Sequence, residues 1–177
     1  MQRAICVFSS SVHQVDGPIL EAARELGAGI ARRGWTLVYG GTDVGLMGAV
    51  ARAAHAHGGR VVGVIPVALR DAGIAYDRAD QLIVTRDMRE RKAVMDRRSD
   101  AFVALPGGFG TLEEVFEIIT LKQLGYHRKP IGILNIAGYY DPLQGLFEHI
   151  YERGFARTET RELYRIVSGV PGLLEYV

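Results

Sequence analysis

Cysteine is almost absent. The single thiol, Cys6, lies inside the apolar run Ala4-Ile5-Cys6-Val7-Phe8, so a disulfide framework is excluded and a buried structural thiol is expected. Excess charge of one sign is equally scarce: 21 Lys+Arg against 20 Asp+Glu leave a formal net charge of +1. That balance offers no broad cationic surface of the kind nucleic acid or an anionic membrane needs. Neither partner is expected, and any bound phosphate should be a small one. No apolar run is long enough to span a bilayer. The N-terminal stretch before Ser9-Ser10-Ser11 is too short for the core of a secretion signal, so the expected compartment is the cytoplasm. The five histidines show no metal-ligand spacing, since His55 and His57 sit two apart on a predicted helix and point to different sides. No metal is predicted.

Hydrophobic residues, in contrast, make up 48% of the 177-residue chain, enough to bury a core, and no linker, low-complexity block or repeat divides it. One domain over residues 1–177 is expected. Short β-branched runs read as strands at Ile5 to Phe8, Thr36 to Tyr39, Arg60 to Ile65, Leu82 to Thr85, Ala101 to Leu105 and Ile131 to Leu134, with helical patterns between them. Apolar runs without in/out alternation suit strands covered on both faces, and intervening helices make right-handed crossovers the default. The expectation is an α/β fold, a doubly wound Rossmann-like parallel sheet with helices on both faces. Val67 to Asp80 reads as a loop with a short helix, Leu143 to Arg153 as a helix, and Thr158 to Val177 as a short helix followed by a strand or turn.

Ligands of open parallel sheets sit beyond the carboxyl ends of the strands. In the segment after Leu105, glycines crowd the turn Pro106-Gly107-Gly108-Phe109-Gly110-Thr111, and a helix follows with the apolar stripe Leu112, Val115, Phe116, Ile119. A bare-backbone turn lets amide N–H groups approach an anion, and the helix dipole favours negative charge there. Gly108, Gly110 and Thr111 are therefore phosphate candidates; the plainer alternative is a tight turn with Thr111 as a helix cap. A second glycine turn, Gly40-Gly41, precedes a helix opening near Leu46 and should meet the first at the same sheet edge. Neither turn fits G-x-G-x-x-G or carries a P-loop lysine, which disfavours NAD or ATP. No cofactor is predicted.

On the helix beginning near Asp87, Met88, Arg91, Lys92 and Met95 form one stripe, placing two cations where apolar residues belong. The alternative is a rim helix with its arginines, Arg86, Arg89, Arg91, Arg97 and Arg98, in water. Glu114 is anomalous in the same way. Glu113 and Glu117 fall away from the apolar stripe of their helix, whereas Glu114 aligns with Ile118 and Leu121 and needs a partner or a chemical task.

These segments resemble the LONELY GUY (LOG) family. Pro106-Gly107-Gly108-Phe109-Gly110-Thr111-Leu112-Glu113-Glu114 matches its PGGxGTxxE signature, Met88-Arg89-Glu90-Arg91-Lys92 is similar to its Met-x-x-Arg-Lys element, and the YGG…GLMG turn at Tyr39 to Gly48 and the GVIP run at Gly63 to Pro66 also agree. The likeness runs from Ile5 to about Ile133. It departs at Ser9-Ser10-Ser11, where many members have Gly-Ser-Ser, and at Arg89, where plant members often have His. The resemblance implies phosphoribohydrolysis of nucleoside 5′-monophosphates, AMP or a cytokinin riboside monophosphate, by a catalytic pair at Arg91 and Glu114, in a homodimer. It extends the candidate substrate-binding set to Met88, Lys92, Gly107, Gly108, Gly110, Thr111, Ser10 and Gly41, with Met88 lining the base pocket and Lys92 binding rather than reacting. The lysine decarboxylase label some members carry needs pyridoxal phosphate, for which a chain with only Lys92, Lys122 and Lys129 is poorly equipped. The rival reading is a non-catalytic carrier of a nucleotide or molybdenum cofactor, or an AMP sensor. A carboxylate beside a phosphate would repel a carrier's ligand, so Glu114 favours the hydrolase.

Overall fold

A computed structural model describes residues 2–12 and 17–177. Seven strands form one sheet: β1 (Ala4–Phe8), β2 (Thr36–Tyr39), β3 (Arg60–Pro66), β4 (Gln81–Thr85), β5 (Ala101–Ala104), β6 (Ile131–Leu134) and β7 (Arg165–Val167). Their order is β4-β3-β2-β1-β5-β6-β7 and every pairing is parallel. The order reverses between β1 and β5, the point at which connections leave to opposite sides and open a crevice above the carboxyl ends.

Period-two alternation sends Ile5 and Val7 to one layer and Ala4, Cys6 and Phe8 to the other. On the first side pack α1 (Gly17–Arg32), α2 (Gly45–Ala56) and α7 (Val170–Tyr176); on the second lie α4 (Met88–Arg97), α5 (Phe109–Gln123) and α6 (Asp141–Glu152). Both faces are thus covered, as the unbroken apolar strands require. Among the described residues no helix is long and apolar enough to cross a membrane, and no group of three His, Cys, Asp or Glu is placed to hold a metal ion.

The six sequence-read strands are present, but the tail holds more than expected. A 3₁₀ turn, Thr158–Leu163, leads into β7, and a further helix, α7, follows. Gly169-Val170-Pro171-Gly172 reads as a turn, yet proline in the first helical turn is compatible with a helix start. After β3 a short helix, α3 (Val67–Asp71), leads into a loop in which Ala75 bridges Thr42. On α5 the buried face is Thr111, Glu114, Val115 and Ile118, whereas Phe116 is 38% exposed. The inner face is therefore rotated from the expected stripe toward Glu114.

The α1–α2 pair approaches closely at Gly27, where a Cβ would stand 2.3 Å from the Val50 carbonyl oxygen and 3.1 Å from Ala53 Cβ. Gly27→Ala should lower the stability measured by chemical denaturation by about 1–2 kcal/mol, because the backbone clash outweighs alanine's better helix propensity. An unchanged or raised midpoint would mean that the two helices separate without cost.

Candidate functional site

A cleft of about 400 Å³ occupies the crevice between β1 and β5. The β1 exit contributes Ser9, Ser10, Ser11 and Val12, α2 and its approach contribute Thr42 and Met47, and the β3–β4 connection contributes Leu69 and Ile74. Met88 and Arg91 reach in from α4, and Gly108, Phe109, Gly110, Thr111, Glu113 and Glu114 from the start of α5.

The start of α4 is fixed by reciprocal capping. Asp87 Oδ1 accepts from the Glu90 amide at 2.8 Å, and Glu90 Oε2 accepts from the Arg86 amide at 2.8 Å. One turn later Arg91 points inward, only 6% exposed. Its Nε donates to the Val64 carbonyl at 3.0 Å and its Nη1 to Glu114 Oε1 at 2.9 Å. Gly40 makes the room: a Cβ there would lie 2.2 Å from Arg91 Nη2. Arg86, Arg89, Arg97 and Arg98 stay exposed, so the rim reading holds for them and fails for Arg91.

Glu114 is 8% exposed. Burial pushes its carboxyl above the usual range, and the Arg91 guanidinium opposes that rise through charge and hydrogen bond. A buried pair is tolerable only with close geometry, which the second anchor on Val64 enforces.

The two glycine turns meet at this edge but differ in what they offer. On α2 the Leu46 and Met47 amides donate to the Ser10 carbonyl, at 3.0 and 3.4 Å, so that helix start is spent on tying down the β1 exit. On α5 Gly108 occupies the cap position without a side-chain bond. The amides of Phe109, Gly110 and Thr111 donate to no acceptor among the described residues. Thr111 is the third helical residue, not the cap, and is buried with its side chain against Gly107, where a Cβ would fall 2.1 Å from Thr111 Oγ1.

Of the residues singled out in the sequence, Ser10, Met88, Arg91, Gly108, Gly110, Thr111 and Glu114 come together around the cleft. Gly41, Gly107 and Lys92 do not border it. Gly41 adopts φ +76° and presses against Ile65 and Val64, with its carbonyl bonded by the Tyr76 amide at 2.9 Å; its place is in the cleft's supporting wall. Lys92 turns to α5, pairing with Glu113 and with Glu117 at 2.7 Å, and borders a separate pocket of about 140 Å³ behind Glu114. Sequence reasoning missed Thr42, Met47, Leu69 and Ile74. Met47 lay within the GLMG turn that carried the resemblance, but the β3–β4 connection has no periodicity to flag Leu69 or Ile74.

The family model described as "Possible lysine decarboxylase" matches residues 47–177. The cytokinin riboside 5′-monophosphate phosphoribohydrolase LOG of Oryza sativa subsp. japonica is 43% identical over 175 residues, 99% of this chain and 71% of that protein. The LOG7 enzyme of Arabidopsis thaliana, of the same description, is 46% identical over 176 residues, 99% of this chain and 79% of that protein. Among solved structures, the molybdenum cofactor binding protein of Rippkaea orientalis superposes with a TM-score of 0.77 at 26% identity, over 99% of this chain and 94% of that one. The molybdenum cofactor carrier protein of Chlamydomonas reinhardtii gives 0.76 at 26% identity, over 99% and 95%. The lysines do not suit the decarboxylase description. Lys92 is paired with α5 carboxylates, Lys122 Nζ donates to the Leu163 carbonyl at 2.8 Å, Lys129 Nζ pairs with Asp96 at 2.7 Å, and none borders the cleft. With 43–46% identity to phosphoribohydrolases over almost its whole length, and with Met47, Met88, Arg91, Gly108, Thr111 and Glu114 from three of the matching signatures around one cleft, the chain belongs to the LOG family.

Proposed function

We propose that this protein hydrolyses the N-glycosidic bond of nucleoside 5′-monophosphates, AMP or cytokinin riboside 5′-monophosphates, to free base and ribose 5-phosphate. The observation that carries this reading is the buried Arg91–Glu114 pair, 2.9 Å apart, beside a helix start whose amides have no acceptor among the described residues. The 5′-phosphate binds the amides of Gly108, Gly110 and Thr111, fixing the ribose over the start of α5. The anomeric carbon then faces Glu114. As the bond to the base lengthens, positive charge develops on the sugar ring; the Glu114 carboxylate stabilises it and orients or deprotonates the water that attacks. Water oxygen joins the anomeric carbon, and the base leaves with the bonding electron pair and takes up a proton. Arg91 keeps Glu114 ionised and aligned, and its remaining N–H groups bind substrate. Met88, Met47, Leu69 and Ile74 supply the apolar side of the cleft for the base.

The likeness to molybdenum cofactor proteins supports a second reading, a carrier that holds a nucleotide or pterin phosphate without cleaving it. Glu114 weighs against it, because a fixed carboxylate next to the phosphate site weakens anion binding unless a reaction uses it. The chain is further read as a homodimer acting in the cytoplasm. Phe109 and Phe155 are 92% and 83% exposed, and Leu124 and Leu146 also lie on the surface of the α5–α6 side, an apolar spread that a second copy would cover.

Wild type incubated with AMP and with isopentenyladenosine monophosphate should release base and ribose 5-phosphate, quantified by chromatography, and Glu114→Ala should lower turnover by roughly a hundred- to thousandfold. Bound nucleotide with no release from either protein would replace the hydrolase by the carrier. Because the carboxylate form is the active one and burial raises its pKa, kcat should rise with pH through an acid limb above 4.5, the ordinary glutamate value. A limb at or below that value would remove Glu114 as the titrating group. The linked sign for folding is the same in origin: the raised pKa leaves stability fully present below the ordinary glutamate value and draws it down as pH climbs through the raised one. Light scattering coupled to gel filtration should give twice the chain mass; a monomer would refute the dimer.

A further inference from the structure

The glycine turn before α5 is held from behind by two tyrosines that do not border the cleft. They come from the β6–α6 connection, residues 135–140, whose course is tightly determined. Asn135 is tied to β7 by its amide, which donates to the Val167 carbonyl at 2.8 Å. Its side chain accepts from the Tyr140 amide at 2.8 Å and donates to Asp141 at 2.6 Å. Ala137 and Gly138 follow one another with φ of 52° and 72°, a left-handed pair in which the alanine is held against its own preference. That bend delivers two hydroxyls side by side: Tyr140 Oη donates to the Leu105 carbonyl at 2.7 Å, and Tyr139 Oη donates to the Gly107 carbonyl at 2.8 Å. The rings meet edge to face, 5.0 Å between centroids.

The Gly107–Gly108 peptide is the one that matters. Neither residue carries a Cβ, so the plane between them has unusual freedom to rotate. Its two orientations are not equivalent for an anion, since one presents the Gly108 N–H to the cleft and the other presents a carbonyl oxygen. In a trans peptide the N–H and C=O point in opposite directions. A donor that captures the Gly107 carbonyl from the β6–α6 side therefore turns the Gly108 N–H away from that side, where Gly108 borders the cleft. Tyr140 fixes the turn one step earlier by holding the Leu105 carbonyl, in a peptide whose Pro106 has no N–H to present. Burial pushes its phenol upward in pKa, so it remains a donor at any physiological pH.

We propose that Tyr139, supported by Tyr140, is a positioning residue for phosphate binding: its hydroxyl locks the Gly107–Gly108 peptide in the orientation that offers an N–H, not an oxygen, to the substrate's phosphate. This rests on the nucleotide reading given above. Tyr139 touches no substrate atom and takes no part in bond breaking, so its contribution falls on affinity and leaves the chemical step alone.

The test is Tyr139→Phe in the full chain. Residue 139 is 45% exposed, so losing its hydroxyl should leave the thermal midpoint within the error of the wild type. Calorimetric titration with ribose 5-phosphate, the proposed product, should show Kd raised about tenfold, the equivalent of one lost hydrogen bond. KM for AMP should rise in parallel, with kcat held within about twofold, the signature of lost uniform binding. In ¹⁵N spectra the Gly108 amide, shifted by ribose 5-phosphate in the wild type, should respond less in the variant. Tyr140→Phe, at a buried position, should show the same split with a lower thermal midpoint. If the wild type binds ribose 5-phosphate and releases base while Tyr139→Phe keeps both Kd and KM, the positioning role is overturned. A fall in kcat without a change in KM overturns it equally. A wild type that neither binds ribose 5-phosphate nor releases base fails the nucleotide reading itself, and this proposal with it.

Discussion

The ion pair between Arg91 and Glu114 constrains everything around it. Two charges less than 10% exposed destabilise a fold unless each finds its partner at close range, and losing either leaves the other buried alone. The pair is met by contributions from four separate places: a capped start to α4 that aims Arg91, a glycine at position 40 that leaves space for the guanidinium, a carbonyl of β3 that receives its Nε, and the rotation of α5 that turns Glu114 inward. Each is a local feature with an ordinary physical cause. Together they place the Glu114 carboxyl, paired with a guanidinium, in a buried position at the cleft wall.

The sheet order explains why these parts meet where they do. With β1 and β5 adjacent and the chain leaving them to opposite sides, the segments after these two strands stand apart and leave a crevice. The two helix starts that follow glycine turns at this edge, α2 after β2 and α5 after β5, differ in what they bind. The α2 start spends two amides on the Ser10 carbonyl and so builds a wall, whereas the first amides of α5 have no acceptor among the described residues. The start of α5 carries the positive end of its helix dipole, and the Glu114 carboxyl lies one turn further along the same helix. That separation of charge along a single helix is the electrostatic logic of the cleft.

The likeness to molybdenum cofactor carriers bears on how such a cleft diversifies. The frame and the open helix start suit any phosphate-bearing ligand. What the frame alone does not supply is a buried carboxyl paired with a guanidinium at the cleft wall, which in this chain comes from Glu114 and Arg91.

By itself the sequence determined the features that act over a few residues. Strand runs such as Ile5 to Phe8 and Ala101 to Leu105 followed from apolar continuity, the parallel class from the helices between them, and the open α5 start from Gly107-Gly108 before a helical stripe. The misplaced charges at Arg91 and Glu114 were visible because they broke the period of their own helices. Only the tertiary structure decided what depends on residues far apart in the chain. The stripe that singled out Lys92 could not show that Glu113 and Glu117 would draw it away from the cleft. Gly41 looked like Gly108, but contact with Val64 and Ile65 made it part of a wall. Helix α7 was hidden because Gly169-Val170-Pro171-Gly172 reads as a turn unless the sheet supplies a surface for Leu173 and Leu174. The hold of Tyr139 and Tyr140 on the glycine turn spans more than thirty residues of chain. Side-chain periodicity reports which face a residue occupies, whereas the partner waiting on that face is set by how the elements pack.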